Sequence, residues 1–381
     1  MDLSHLRTEI NAIDEEMVKL FLRRMAIMDD VAEAKRQAGT PVLAPARERE
    51  ILARVAGEVG PELENGARLF FTTLFDISRS RQRTVLASGG GLGDEIVAAL
   101  AATPAQFPTR AMVACQGTEG AYSQQAACHL FPFPSILFFN TFDDVFTAIE
   151  KGMCPYGILP IENSTAGSVA AIYDLMVQHR FHIARAVRQR IDHVMLAPRG
   201  TRLEDVREVI SHPHALAQCN GFLKQHAGWT LTPTANTAGS ARALADSGRH
   251  DLAAIASRAC AELYGLDILA EDISDVAANY TRFICISKQL EVYPDSTKIS
   301  FMLSLPHRPG ALYGVMSRFA AINVNLTKLE SRPIPGMDFE FRFTFELEAS
   351  PTDARVIQLL GELAADPAIE HFTFLGAYAE K

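Results

Sequence analysis

The chain has 381 residues, a formal net charge of −9 and a hydrophobic content of 48%. That length exceeds a single core and predicts roughly two to four domains, and the acidic balance excludes nucleic acid or an anionic membrane as the main partner. The start Met1-Asp2-Leu3-Ser4-His5-Leu6-Arg7 lacks the apolar core of a secretory signal, and no stretch is long enough to span a bilayer. The six cysteines (115, 128, 154, 219, 260 and 285) show no C-x-x-C spacing. A cytoplasmic protein with reduced thiols, no metal site and no cofactor is therefore expected.

From Leu3, apolar residues fall at Leu6, Ile10, Ile13, Met17, Leu20, Ile27 and Val31, a seam along one long helix. Arg24 interrupts that seam, and a guanidinium there is costly unless an anion meets it. Lys35 faces the same side about 16 Å further along the axis, whereas Arg7 is turned away and can serve only a partner chain. Pro41 is expected to end this helix, and Pro45 to start a second carrying Arg47 and Glu48. A third follows Pro61, with Phe71, Leu74, Phe75, Ser78 and Gln82 on one face. A first helix too long for its own chain to cover implies a helical dimer. The same buried polar residues would also serve a bundle in which they only set register.

Residues 86–108 change composition: Ala87-Ser88-Gly89-Gly90-Gly91 reads as a tether, and Ile96 to Ala102 as a short helix. From Ala111, short apolar runs alternate with helical stretches, the βαβ signature of mainly parallel sheet, here in two lobes with a cleft between them. Two strand-to-helix corners carry small polar residues, 116–123 and Glu162-Asn163-Ser164-Thr165-Ala166-Gly167-Ser168. Such corners suit a carboxylate at backbone N–H groups, although Ser, Thr and Asn are ordinary N-caps and capping is the more ordinary reading of either corner alone. Asn279-Tyr280-Thr281-Arg282-Phe283 then leads into Ile284-Cys285-Ile286, a strand covered on both faces with a hydroxyl and a cation at its mouth. From residue 297, strand, helix, strand, a strictly alternating Phe339 to Glu348, helix and strand give βαββαβ, the ferredoxin-like order.

Arg7, Arg24, Lys35, Arg47, Glu48, Ser78 and Gln82 resemble the all-helical chorismate mutases over residues 1–85. That resemblance implies an intertwined dimer in which Arg24, Arg47 and the other chain's Arg7 hold two carboxylates with help from Ser78. Lys35 and Gln82 would donate to the ether oxygen, and Glu48 would take the ring hydroxyl. A pericyclic rearrangement needs only a compact conformer and donors for the developing charge. The chain departs from that family at Ala44, where members commonly carry Asp; an active dehydratase with a weakened mutase is the corresponding alternative.

Gly117-x-x-Gly120-x-Tyr122-Ser123, Leu159 to Ser164, Ser211-His212-Pro213 with Gln218-Cys219, and Asn279 to Phe283 together resemble prephenate dehydratase over residues 109–290. The resemblance implies two lobes like those of bacterial binding proteins, with prephenate between them. It makes Thr281 catalytic, donating to the departing oxygen, and places Glu162, Asn163, Ser164, Thr165 and Arg282 on the substrate. Glu162 is the nearest candidate acid if burial raises its pKa, and His212 reads as structural rather than as a proton donor.

Pro309-Gly310-Ala311-Leu312 and Asn325 to Pro333 resemble the ACT regulatory domains of these dehydratases, over residues 297–377. The implication is phenylalanine bound between paired domains by Gly310, Ala311, Leu312, Asn325, Glu330, Ser331 and Arg332. The order of the three segments resembles the bifunctional chorismate mutase/prephenate dehydratase family. Its substrates would be chorismate and prephenate, its inhibitor phenylalanine, and its state a dimer or tetramer. A non-catalytic amino-acid sensor that kept the cleft and the last domain is the competing class.

Overall fold

The computed structural model describes residues 2–86, 90–334, 336 and 340–381. The tether residues Ala87 to Gly89 and Phe339, the first residue of the expected alternating strand, lie outside them. Among the described residues no helix is long and apolar enough to cross a membrane. The chain divides into two compact units, one of residues 1–98, 302–345 and 353–372, the other of 99–301, 346–352 and 373–381. The division cuts through strands near the C-terminus.

In the first unit, α1 spans Leu3–Ala38, α2 Pro45–Val59, α3 Glu64–Leu86 and α4 Leu92–Ala102, its last four residues falling in the second unit. Asp2 caps α1 by accepting from the Ser4 N–H at 3.2 Å. Gly39 ends it in the left-handed region at φ 63°, two residues before Pro41, so a glycine C-cap and not the proline closes the helix. Pro45 opens α2, but its N-cap, Ala44, offers no side-chain bond. Ile10, Ile13, Met17, Leu20 and Ile27 of the α1 seam are exposed. The short helix expected from Ile96 starts earlier, at Leu92.

The second unit holds two sheets. Its elements in chain order begin with β1 Arg110–Gln116, α5 Tyr122–Leu130, β2 Phe133–Phe139, α6 Phe142–Glu150, β3 Tyr156–Asn163 and β4 Gly167–Ser168. They continue with α7 Ala170–His179, β5 His182–Arg190, β6 His193–Ala197, β7 Glu208–Ser211, α8 Pro213–Gln218, α9 Asn220–Lys224 and β8 Thr230–Pro233. Last come α10 Thr237–Ser247, β9 Leu252–Ser257, α11 Ala259–Tyr264, β10 Asp267–Ala270 and β11 Tyr280–Ser287. One sheet runs β5-β11-β3-β1-β2 with β4 on β3, the other β10-β6-β9-β7-β8. The chain thus leaves the first lobe after β5 and re-enters it at β11.

The sheets are less parallel than the alternation predicts. β11 is central, as its apolar run requires, yet antiparallel to both β3 and β5, because it returns from the other lobe instead of through a crossover helix. Val113, Ile158, Phe283 and Cys285 pack one core, while Val194, Ile210 and Ala254 on one face of the second sheet and Met195, Val209 and Ile255 on the other pack two more.

The C-terminal module comprises β12 Lys298–Leu305, α12 Ala311–Ala321, β13 Asn325–Pro333, β14 Phe341–Glu348, α13 Ala354–Ala364 and β15 Glu370–Glu380. Its strand order β13-β14-β12-β15 is that of a ferredoxin-like sheet. β15 is longer than the expected strand around Phe372 to Leu375, and its end pairs with β5 at Ala379↔Arg185 and Glu380↔Ala186.

Candidate active sites

In the helical unit the expected cations meet a polar cluster on α3. The Arg24 guanidinium donates to the Ser78 hydroxyl and lies over the Phe75 ring, 6.0 Å from its centroid. Burial lowers its pKa, as it does that of Lys35, which Glu48 partly offsets. The Lys35 ammonium donates to Val42 O at 2.5 Å, tying α1 to the loop before α2. Gln82 is buried, its amide donating to Ser78 O at 3.2 Å while Oε1 has no partner among the described residues. A buried acceptor without a donor is costly, which makes Gln82 a candidate for contact with a ligand's donor.

Glu48 is engaged by Arg79, a residue absent from the expected set. Arg79 also pairs with Asp76 one turn back, and its place between Ser78 and Gln82 is the signal that could have found it. Arg47, expected on a carboxylate, stands exposed and pairs with Glu50 at 2.7 Å, outside the cluster. Arg7 is exposed on α1, a long way from Arg24. A groove of about 730 Å³ walled by Phe21, Met25, Ile77 and Ile322 contains none of these candidate residues.

In the two-lobed unit the centre is Asn163, at the end of β3. Its Oδ1 accepts from the backbone N–H groups of Thr165 and Ala166 at 3.0 and 2.9 Å and from the Thr165 hydroxyl at 2.6 Å. Its Nδ2 must therefore face the start of β11 and the residue before it, donating to Asn279 Oδ1, Tyr280 O and Thr281 Oγ1 at 2.7, 3.2 and 2.9 Å. Because Thr281 Oγ1 accepts from Asn163, the one proton on that hydroxyl is left to donate elsewhere. Thr281 is only 8% exposed, so it does so in a nearly dry environment.

Register separates the other expected residues. Thr281 pairs with Asn163 and Arg282 with Glu162, and successive side chains of a strand face opposite ways. Arg282 and Glu162, expected on the substrate, accordingly face away from Thr281. The Arg282 guanidinium lies 2.6 Å from Glu346, 3.3 Å from Glu380 and 3.7 Å from Glu162, and Lys298 stands 2.8 Å from both Glu346 and Glu380. Burial works against the charge of Arg282, but these carboxylates outweigh it and raise its pKa. Ser164 is also committed: its hydroxyl donates to Ala278 O, and it receives the Tyr280 N–H at 3.0 Å, stitching the corner to the approach of β11.

The glycine corner is a packing device as much as a polar one. Gly120 has φ 89°, and a Cβ there would lie 2.7 Å from Cys260 Sγ. His212 caps α8 by accepting from the His214 N–H, the structural role expected of it. Two polar residues of the second lobe reach toward Asn163. Gln218 Nε2 lies 3.3 Å from Thr165 Oγ1, and Gln218 Oε1 lies 3.0 Å from Nε2 of the buried His193. In the sequence Gln218 stands out only as part of a motif, and His193 only as a strand residue.

In the C-terminal module Gly310, at φ 81°, precedes α12, and Ala311 and Leu312 form its first turn. β13 divides the remaining candidates. Asn325 and Ser331 lie on its exposed face, while Glu330 and Arg332 lie on the other, paired at 2.8 Å.

The prephenate dehydratase family model matches residues 113–291, and that of chorismate mutase type II matches residues 6–83. Arogenate dehydratase 2 of Petunia hybrida is 38% identical over 272 residues, 67% of this chain and 68% of that protein. The bifunctional chorismate mutase/prephenate dehydratase of Escherichia coli is 28% identical over 368 residues, 94% of this chain and 92% of that one. The crystal structure of a prephenate dehydratase from Arthrobacter aurescens in complex with L-Phe is similar with a TM-score of 0.62 and 30% identity, covering 70% of this chain and 89% of that chain.

Proposed function

Since the chain belongs to the bifunctional chorismate mutase/prephenate dehydratase family, we propose a division of labour in which each reaction has its own polar cluster. The protein rearranges chorismate to prephenate in the helical part and converts prephenate to phenylpyruvate between the two lobes. In the first reaction Arg24 and Ser78 hold substrate carboxylate. Lys35 and Gln82 donate to the breaking ether bond, and Glu48 takes the ring hydroxyl. Arg7 of a second copy completes the anion site, joined by Arg47 once its side chain leaves Glu50, and the uncovered apolar seam of α1 supplies the interface.

In the second reaction the ring carboxylate leaves as carbon dioxide and its bonding electrons enter the ring. The ring C–O bond breaks, and the departing hydroxide needs a hydrogen-bond donor. The observation that carries this reading is the Thr281 hydroxyl, which accepts from Asn163 and so keeps its proton for that oxygen. Thr165 and the corner N–H groups flank the same site. Arg282 and Glu162 brace the strand from behind instead of touching substrate.

The C-terminal module acts as an ACT domain that binds phenylalanine at Gly310 to Leu312 and along β13, between paired copies. Phenylalanine then inhibits by closing or twisting the lobes that β11 joins. Purified protein given chorismate or prephenate is expected to yield phenylpyruvate, with less product when phenylalanine is present. Consumption of arogenate in preference to prephenate would move the second substrate to arogenate, and no turnover of any of the three would leave only the sensor reading.

A further inference from the structure

Five side chains form one hydrogen-bonded line from Thr281 to the second lobe. Its direction is set by groups that cannot change roles. The N–H groups of Thr165 and Ala166 fix Asn163 Oδ1 as an acceptor, so the Thr165 hydroxyl, 2.6 Å from that oxygen, must donate to it. With its proton spent, Thr165 Oγ1 can only accept from Gln218, which turns Gln218 Nε2 toward Thr165 and Gln218 Oε1 toward His193. The imidazole nitrogen 3.0 Å from that oxygen must then carry a hydrogen.

We propose that His193, held in its Nε2–H form, is a positioning residue for the dehydratase reaction. It orients Gln218, whose Nε2 then bonds Thr165 Oγ1 and holds the second lobe against the corner whose Asn163 turns the Thr281 hydroxyl to donate. On the other face of the ring Tyr122 Oη lies 2.7 Å from Asp192 O and 3.3 Å from His193 Nδ1, so a ring protonated at Nε2 alone uses Nδ1 as an acceptor that competes with Asp192 O for the Tyr122 proton. Burial lowers the His193 pKa and so favours the neutral ring that has one donor and one acceptor. Two lobes contribute to the line, His193 and Gln218 from the second and Thr165, Asn163 and Thr281 from the first. The bond between Gln218 and Thr165, at 3.3 Å, is its longest link and the one that separation of the lobes would break.

The inference rests on the dehydratase reading, and the test separates the two. Wild-type turnover of prephenate tests that reading by itself. His193→Gln keeps a terminal N–H donor near the position of Nε2, His193→Asn ends short of it, and His193→Leu removes it. His193→Gln is expected to retain kcat on prephenate close to wild type. His193→Asn and His193→Leu should lose roughly 10²-fold in kcat with little change in KM, the order expected when a reacting group is misplaced. Chorismate turnover is expected to stay unchanged in all three, and a far-ultraviolet spectrum and thermal midpoint like those of the wild type report that the two-lobed part is folded. Equal loss in His193→Gln and His193→Leu, or undiminished kcat in His193→Asn, would overturn the proposal. Nitrogen-15 NMR of the wild-type ring gives a second reading without turnover. Protonation at Nε2 supports the assignment, and protonation at Nδ1 alone refutes it.

Discussion

Thr281 is a poor Brønsted acid, and its usefulness lies in where its single proton points. Asn163 occupies the hydroxyl's acceptor side, so substitution of either residue attacks the same donor by different means. Thr281→Ala is expected to lower kcat for phenylpyruvate formation by about 10²- to 10³-fold, the range seen when one preorganised donor is removed. Chorismate turnover should persist, and a far-ultraviolet spectrum like that of the wild type would show the fold intact. A variant that still makes phenylpyruvate at the wild-type rate would remove Thr281 from the reaction. At this scale Thr281 and Arg282 are neighbours in sequence but not in surroundings. Adjacent strand residues face opposite ways, so the two-residue period of a strand is enough to set them apart.

Among the elements, α2 has the weakest start. Ala44 leaves the helix without a side-chain cap at the loop where Lys35 donates to Val42 O. Ala44→Asp is expected to stabilise the helical part by about 1 kcal/mol through the missing N-cap bond, readable as a higher thermal midpoint. If that loop also borders the substrate hydroxyl, kcat/KM on chorismate rises with it; an unchanged kcat/KM would mean that the backbone alone serves there. The second element with an evident need is α1. Leu20 is 64% exposed in the middle of its seam, and Leu20→Asp places a charge where a second copy is expected. Sedimentation should show a smaller species, and mutase activity should fall while prephenate turnover continues. An unaltered assembly would refute α1 as the interface.

For the molecule as a whole, the back of β11 is tied to residues near the C-terminus. Glu346 is buried and meets Arg282 and Lys298, and the Tyr378 hydroxyl donates to it at 3.0 Å. Glu346→Ala leaves two cations sharing Glu380, with Glu162 nearby. Discounted for their partial exposure and for those remaining carboxylates, the loss is expected to be about 2 kcal/mol, measured as a lower urea midpoint for dehydratase activity. A shift within error would mean that Glu380 suffices. Because Arg282 follows Thr281 directly, the same change is a natural place to look for altered phenylalanine response.

Most of the secondary structure and the residues that break a local pattern were legible in the sequence. Periodicity, caps and short motifs are local, and local patterns survive without a fold. Arg24 in an apolar seam and a Thr-Arg pair opening a buried run stood out because each breaks the pattern around it. The partners of those residues were not legible. Arg79 on Glu48, Glu346 and Glu380 on Arg282, and Gln218 and His193 on the Asn163 corner are set by which strands and helices come together across tens to hundreds of residues. The antiparallel return of β11 is of the same kind, since nothing in an eight-residue apolar run states the direction of its neighbours. Sequence alone determined which groups are candidates for the chemistry. Only the tertiary structure decided which of them share a face and which are turned apart, because hydrogen-bond direction and strand register exist only between segments that have met.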